Sequence, residues 1–183
     1  DFVNLLDTER RVVQSADGQP RPPRPMPALA TDDTGASAAV ATVDTEVASL
    51  ILPTLLERIP VPLVPTRNAA PTPLQVESRA LLLVARAPVT DPGGRRLGYV
   101  QGGVLLNRNL PFIDHINQIV YPPGSLPLGS LGTATLFLGD VRVSTNVRLF
   151  GAERDERAIG TRVSQAVRDA VLGWGETWLD RAF

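Results

Sequence analysis

Arg79-Ala-Leu-Leu-Leu-Val-Ala-Arg-Ala-Pro-Val89 and Arg96-Leu-Gly-Tyr-Val-Gln-Gly-Gly-Val-Leu-Leu106 are two apolar runs joined through Asp91-Pro92-Gly93-Gly94. That spacer favours a tight reversal, so the pair predicts an antiparallel β-hairpin. A second pair follows, Thr133 to Leu138 and Val141 to Leu149, around the two-residue turn Gly139-Asp140. Two hairpins in so short a chain predict an antiparallel sheet, and the remaining amphipathic stretches supply helices to flank it.

Outward from the hairpins the helical signals are local. Asn109 is placed to cap a helix through Val120, with Ile113, Ile116 and Val120 as its apolar stripe and Pro111 tolerated in its first turn. Thr161 is expected to cap another, in which Val163, Ala166, Val167, Ala170 and Val171 recur at helical spacing up to Gly173. Trp178 to Phe183 reads as the start of a further strand. Near the beginning, Phe2, Leu5, Leu6, Val12 and Val13 predict a helix over Asp1 to Ala16, stopped by Asp17-Gly18. Gln19 to Pro27 holds five prolines and can only be an extended connector. Thr42 to Ile59 predicts a helix divided at Pro53, followed by a second proline-rich stretch, Pro60 to Pro73.

Composition narrows the function. With 183 residues, 43% of them hydrophobic and 20% charged, the chain is long enough for one globular domain with a core of its own. A net charge of -1 gives no general attraction to nucleic acid or to an anionic membrane surface. The absence of cysteine excludes disulfides, thiolate zinc sites and a cysteine nucleophile. All 18 basic residues are arginines, whose planar fork suits carboxylate and phosphate recognition. His115 stands alone, Asp155-Glu156 between Arg154 and Arg157 reads as a solvated loop, and no phosphate loop, nucleophile elbow or zinc-protease motif occurs. No enzyme activity, cofactor or metal is therefore expected. No apolar run reaches the roughly 20 residues that span a bilayer, and no signal peptide opens the sequence.

Three motifs do more than composition. Gly132-Thr-Ala-Thr-Leu-Phe-Leu-Gly-Asp-Val-Arg-Val-Ser-Thr-Asn146, Arg157-Ala-Ile-Gly-Thr-Arg-Val-Ser164 and Gly175-Glu-Thr-Trp-Leu-Asp-Arg-Ala-Phe183, with Ala87-Pro-Val89 and Gly98 to Asn107 upstream, resemble the Cache sensor domains of bacterial histidine kinases and chemotaxis receptors. The resemblance covers residues 79 to 183. It implies an α+β fold: a PAS-like antiparallel sheet flanked by helices, with a long N-terminal helix rising from a membrane anchor outside this sequence. Residues 1 to 78 then form a helical, proline-punctuated region and 79 to 183 the sensor core, within one domain overall. The family pattern continues past Arg181-Ala-Phe183 into two strands that this sequence lacks.

Function follows from the same resemblance: an extracytoplasmic, periplasmic or extracellular, sensing domain of a membrane-anchored two-component receptor. A histidine kinase is the expected output, a chemoreceptor the next, and homodimerisation is expected through the N-terminal helix, which would carry the signal toward the membrane. A structural or interaction module without a ligand is the reading from another class.

Period-two alternation places Val141, Val143, Thr145 and Val147 on one face of the second hairpin and Arg142, Ser144, Asn146 and Arg148 on the other. Thr133, Thr135 and Phe137 add a face of the neighbouring strand, and Tyr99 and Gln101 a face of the earlier one, where Gly102 and Gly103 leave room for close approach. Hydroxyls, an aromatic ring and guanidinium groups suit a small carboxylate, with Arg142 as the first anion partner and Arg148 the second. Arg157 and Arg162 stand in reserve at the start of the last helix, where free backbone donors also favour anions.

Overall fold

The computed structural model describes residues 1–18, 20, 26, 29, 35–127, 130, 132–149 and 156–179. The chain forms two compact units, the first from Asp1–Ile59 and Ser78–Asn107, the second from Pro60–Glu77 and Arg108–Phe183.

The first unit is a five-stranded antiparallel sheet in the order β2-β1-β7-β6-β3, built from β1 (Phe2–Leu6), β2 (Val12–Ser15), β3 (Ser37–Val43), β6 (Ala80–Thr90) and β7 (Arg96–Leu105). β6 and β7 are the predicted hairpin. Its turn is held by Asp91, whose Oδ1 accepts from the backbone N–H groups of Gly93 and Arg95 at 3.0 and 2.9 Å, while Gly94 supplies the left-handed residue at φ 82°.

The expected N-terminal helix is not there; residues 2–6 and 12–15 are strands. Burial alternates along β1, with Phe2, Asn4 and Leu6 inside and Val3 and Leu5 outside. The reversal repeats the Asp91 turn: Asp7 Oδ1 accepts from the N–H groups of Glu9 and Arg11, both at 2.9 Å, and the left-handed position is filled by Arg10 at φ 66°. The expectation of a dimer and of a signal carried through an N-terminal helix loses its element.

After β3 the chain is helical to Arg58, as its period implied. Asp44 Oδ1 caps α1 (Thr45–Ile51) by accepting from Val47 N–H at 2.9 Å, and Pro53 then opens a separate 3-10 helix, Pro53–Arg58. Ala48, Ile51, Leu52 and Ile59 pack with Phe2, Leu6, Val43, Leu82, Val84, Tyr99 and Leu105 as one buried cluster. Asn107 closes it. Its Oδ1 accepts from Leu81 N–H at 2.8 Å, and its Nδ2 donates to the carbonyls of Ile59 and Arg79 at 2.9 and 3.0 Å.

In the second unit, Asn109 Oδ1 accepts from Phe112 N–H and caps α2 (Leu110–Val120), with Pro111 in the first turn, as expected. The second hairpin is β8 (Thr135–Leu138) and β9 (Val141–Thr145), turning at Gly139 with φ 59°. Residues 156–163 run antiparallel beside β9, bridging Arg148 to Arg157 and Val141 to Arg162. Thr161 lies in this extended pairing and is no helix cap. Ser164 takes that role, accepting from Val167 N–H ahead of α3 (Gln165–Arg168), which continues as a π-helical turn, Asp169–Gly173. Trp178 and Leu179 carry no secondary structure, and the rest of the strand expected there lies outside the described residues. Two further short strands, β4 (Val61–Pro62) and β5 (Val76–Glu77), pair with each other.

Candidate functional site

The expected site residues fall into both units. Tyr99 and Gln101 belong to the first; Thr133, Thr135, Arg142, Ser144, Asn146 and Arg148 belong to the second.

On β9 the expected polar face is not a solvent face. Ser144 and Thr145 are both fully buried, because α2 and the extended segment 156–163 pack on the hairpin, and a bulge between Leu136 and Phe137 shifts the register. Most of the polar side chains are engaged by the protein. Ser144 Oγ donates to the Asn109 carbonyl at 3.1 Å, holding the start of α2. Asn146 accepts from Ala134 N–H at 2.8 Å and donates to the Gly132 carbonyl at 3.3 Å. Thr135 and Thr145 share a hydroxyl hydrogen bond of 2.7 Å across the hairpin. Thr133 and Arg148 are exposed.

The arginines of this unit divide by their partners. Arg157 forms a two-pronged pair with Asp114, Nη1 to Oδ1 at 2.6 Å and Nη2 to Oδ2 at 2.8 Å, and donates to the Thr145 carbonyl. Arg162 donates to Asp140 Oδ2 and to the Ala70 carbonyl, each at 2.6 Å. Both therefore do structural work, and Arg168 also lies near Asp140 and Asp169.

Arg142 has no carboxylate among the described residues. Its Nη1 donates to Thr161 Oγ1 at 3.0 Å, its guanidinium lies over the Phe137 ring at 5.5 Å, and its Nε is buried without an acceptor. Burial pulls its pKa below the ordinary arginine value, because desolvation disfavours the cation and no acid offsets it. An anion would supply that missing charge. Phe137 also forms part of the wall of a cavity of about 470 Å³ with Val163, Val167, Val171, Leu172 and Trp178, so a largely apolar space adjoins the cation's aromatic partner.

In the first unit, successive register partners place Ser15, Asn4, Gln101, Arg86 and Ser37 in one row across all five strands. An apolar row flanks it on each side: Phe2, Gly103, Val84 and Ala39 on one, Leu6, Tyr99 and Pro88 on the other. Tyr99 is flanked by two guanidinium groups, Arg86 at 5.1 Å and Arg96 at 5.3 Å, and its hydroxyl oxygen accepts from Arg96 Nη1 at 3.0 Å. The room expected at the paired glycines belongs to the protein, since the Phe2 ring lies against Gly103. Asn4 and Gln101 are 0% and 1% exposed, and among the described residues neither amide has a hydrogen-bond partner at its oxygen or its nitrogen. An unmet buried polar group costs about 1–3 kcal/mol, so these two side chains weaken the sheet they stand in.

Asn4 and Arg86 went unnoticed in the sequence reading. Each is the lone strongly polar residue of an otherwise apolar strand segment, Phe2–Leu6 and Ala80–Ala87, and that was the available signal. Among the described residues no three His, Asp or Glu side chains gather to hold a metal, and His115 is exposed on α2. No helix among them is long and apolar enough to cross a membrane.

The family model for single Cache domain 3 matches residues 104–183. No curated protein matches the chain. The matched stretch holds the end of β7, α2, the second hairpin and α3. It is similar to a module that senses small molecules outside the cytoplasm in signalling receptors and is not catalytic.

Proposed function

We propose, from the single Cache match over residues 104–183, that this chain is the ligand-sensing part of a membrane-anchored signal-transduction receptor and that it takes a small carboxylate or similar anion at Arg142. A sensor histidine kinase is the preferred output and a chemotaxis receptor the second. The observation that carries the ligand class is the half-buried Arg142, whose neighbours Thr161 and Phe137 offer a hydroxyl and a ring but no negative charge. In the same unit the acids Asp114 and Asp140 pair with Arg157 and Arg162. An acid with an apolar body would meet the cation at one end and the Phe137-walled cavity at the other.

Signalling follows if the anion binds one arrangement of the receptor more tightly than another, which shifts the population toward it. The test is a receptor in which this chain, between its native flanking segments, drives a reporter. Output should respond to a panel of acetate, succinate, malate and benzoate, and the response should vanish in Arg142→Ala. A response to acids that survives the substitution would refute the assignment of the site.

A further inference from the structure

An antiparallel sheet that covers a core with one face ordinarily turns polar side chains to water with the other. The first unit departs from this. On the outward face, register partners set Ala38, Ala85, Gly102 and Val3 in one row across four strands. Val40 and Leu83 stand in the row on one side of it, Leu5 and Val100 in the row on the other. None of these residues is charged, and Val40 is 65% exposed, Val3 49% and Val100 40%. Charge stands instead in the turns, with Asp7, Glu9 and Arg11 in one and Asp91 and Arg95 in the other. An uncharged field with ion pairs at its margin has the make-up of an interface. The relief of the field is uneven. Ala38, Ala85 and Gly102 form the floor of an open trough of about 480 Å³, and Val3 and Val100 form a ridge along its wall.

We propose that this face binds a second copy of the chain, sheet on sheet about a two-fold axis, with the Val3 and Val100 ridge of each copy seated in the Ala38, Ala85 and Gly102 trough of the other. Two observations select that occupant. The face holds both a ridge and the hollow that accepts it, so it complements itself, as a contact between identical surfaces requires. It also has the area. The exposed parts of these residues and of the outward positions next to them come to about 600 Å², so a pair of copies buries about 1,200 Å², where specific interfaces begin. A field without charge sets no like charges against each other when it meets its own copy. The dimer expected through a helix is thus carried by strands. It does not depend on the reading of Arg142, and the two succeed or fail separately.

The test is sedimentation velocity of the full chain between about 1 and 300 μM, which should show a reversible equilibrium of monomer and dimer. Val100→Glu places a charge on the ridge at a position open to water in the single copy. It should weaken association about tenfold or more while the circular dichroism spectrum stays that of the wild type. Ile119→Glu, at an exposed position of α2 outside the sheet, should leave association unchanged. Should Val100→Glu fail to fold, the methyl NMR signals of the wild type answer the same question: those of Val3 and Val100 should shift with protein concentration, and those of Ile119 should not. A wild type that stays monomeric throughout overturns the proposal and leaves the face to a partner other than this chain. Association that survives Val100→Glu, an equal loss in Ile119→Glu, or Val3 and Val100 signals that ignore concentration would each overturn it as well.

Discussion

Replacing Asn107 by alanine should be among the most damaging single changes in the first unit. The side chain is completely buried and serves three backbone groups: Leu81 N–H, the Ile59 carbonyl and the Arg79 carbonyl. Ile59 is the last residue of one of that unit's two segments, and Arg79 and Asn107 lie at the beginning and the end of the other, so one amide ties together three of the four segment ends. Alanine leaves Leu81 N–H and the Ile59 carbonyl buried without partners, at about 1–3 kcal/mol each, while the Arg79 carbonyl is open enough to recover part of its loss from water. The expected cost is about 3 kcal/mol, a large share of the roughly 5–15 kcal/mol typical of a domain. Urea unfolding read by circular dichroism should show the midpoint falling by about 1–3 M with the slope unchanged. Asn107→Asp adds a sign. Ionised, it would face two carbonyl oxygens inside the protein, so its folded pKa is expected above the ordinary value near 4. The variant should approach wild-type stability below that value and lose it as pH rises toward the folded pKa. A cost under about 1 kcal/mol for Asn107→Ala, or no pH dependence in Asn107→Asp, would refute the reasoning.

Further outcomes follow from other residues. Arg162 and Asp140 are 10% and 13% exposed in their pair, so Arg162→Ala should cost about 1–3 kcal/mol in thermal unfolding by stranding the Ala70 carbonyl and leaving Asp140 only the more distant Arg168. Asp114 is held below the usual carboxylate range first by the Arg157 hydrogen bonds; the stabilisation is complete above about pH 4 and fades as pH falls through the folded value. At 39% exposure it is worth at most about 1 kcal/mol, and Asp114→Asn should lose that much near neutrality and converge on the wild type in acid. A Cβ at Gly103 would stand 2.5 Å from the Leu83 carbonyl oxygen and 2.9 Å from the Phe2 ring, so Gly103→Ala should lower stability by about 1–3 kcal/mol in denaturant titration.

Both hairpins were legible in the sequence because their turns carry glycine. The β1-β2 hairpin was not, and the reason is a single position. Asp7-Thr-Glu-Arg-Arg11 and Asp91-Pro-Gly-Gly-Arg95 make the same reversal, with an aspartate collecting the same two N–H groups and an arginine Nε returning to it, but the left-handed slot holds Arg10 in one and Gly94 in the other. Without the glycine, Phe2, Leu5 and Leu6 read as a helical stripe. The α2 cap was readable because Asn109 stands immediately before a periodic segment, whereas the α1 cap, Asp44, lay inside the helix expected over Thr42 to Ile59. Thr161 misled because its hydroxyl is consumed locally, donating to the Ala158 carbonyl at 2.7 Å and accepting from Arg142. On β9 the parity of the strand placed Arg142 and Ser144 together, yet parity cannot show that both faces are covered. What sets Arg142 apart is the lack of an acid near it among the described residues, where Asp114 and Asp140 go to Arg157 and Arg162.

Whether Arg142 receives the charge of a small acid is read most directly from the melting temperature of wild type and Arg142→Ala across acetate, succinate, malate and benzoate. An acid present at about a hundred times its Kd should add roughly 2.7 kcal/mol to the wild type, a rise of several degrees. Arg142→Ala should show no rise with the same acid, and without acid should be no less stable than the loss of the Thr161 hydrogen bond explains, about 1 kcal/mol. Equal rises in the two proteins would contradict the account.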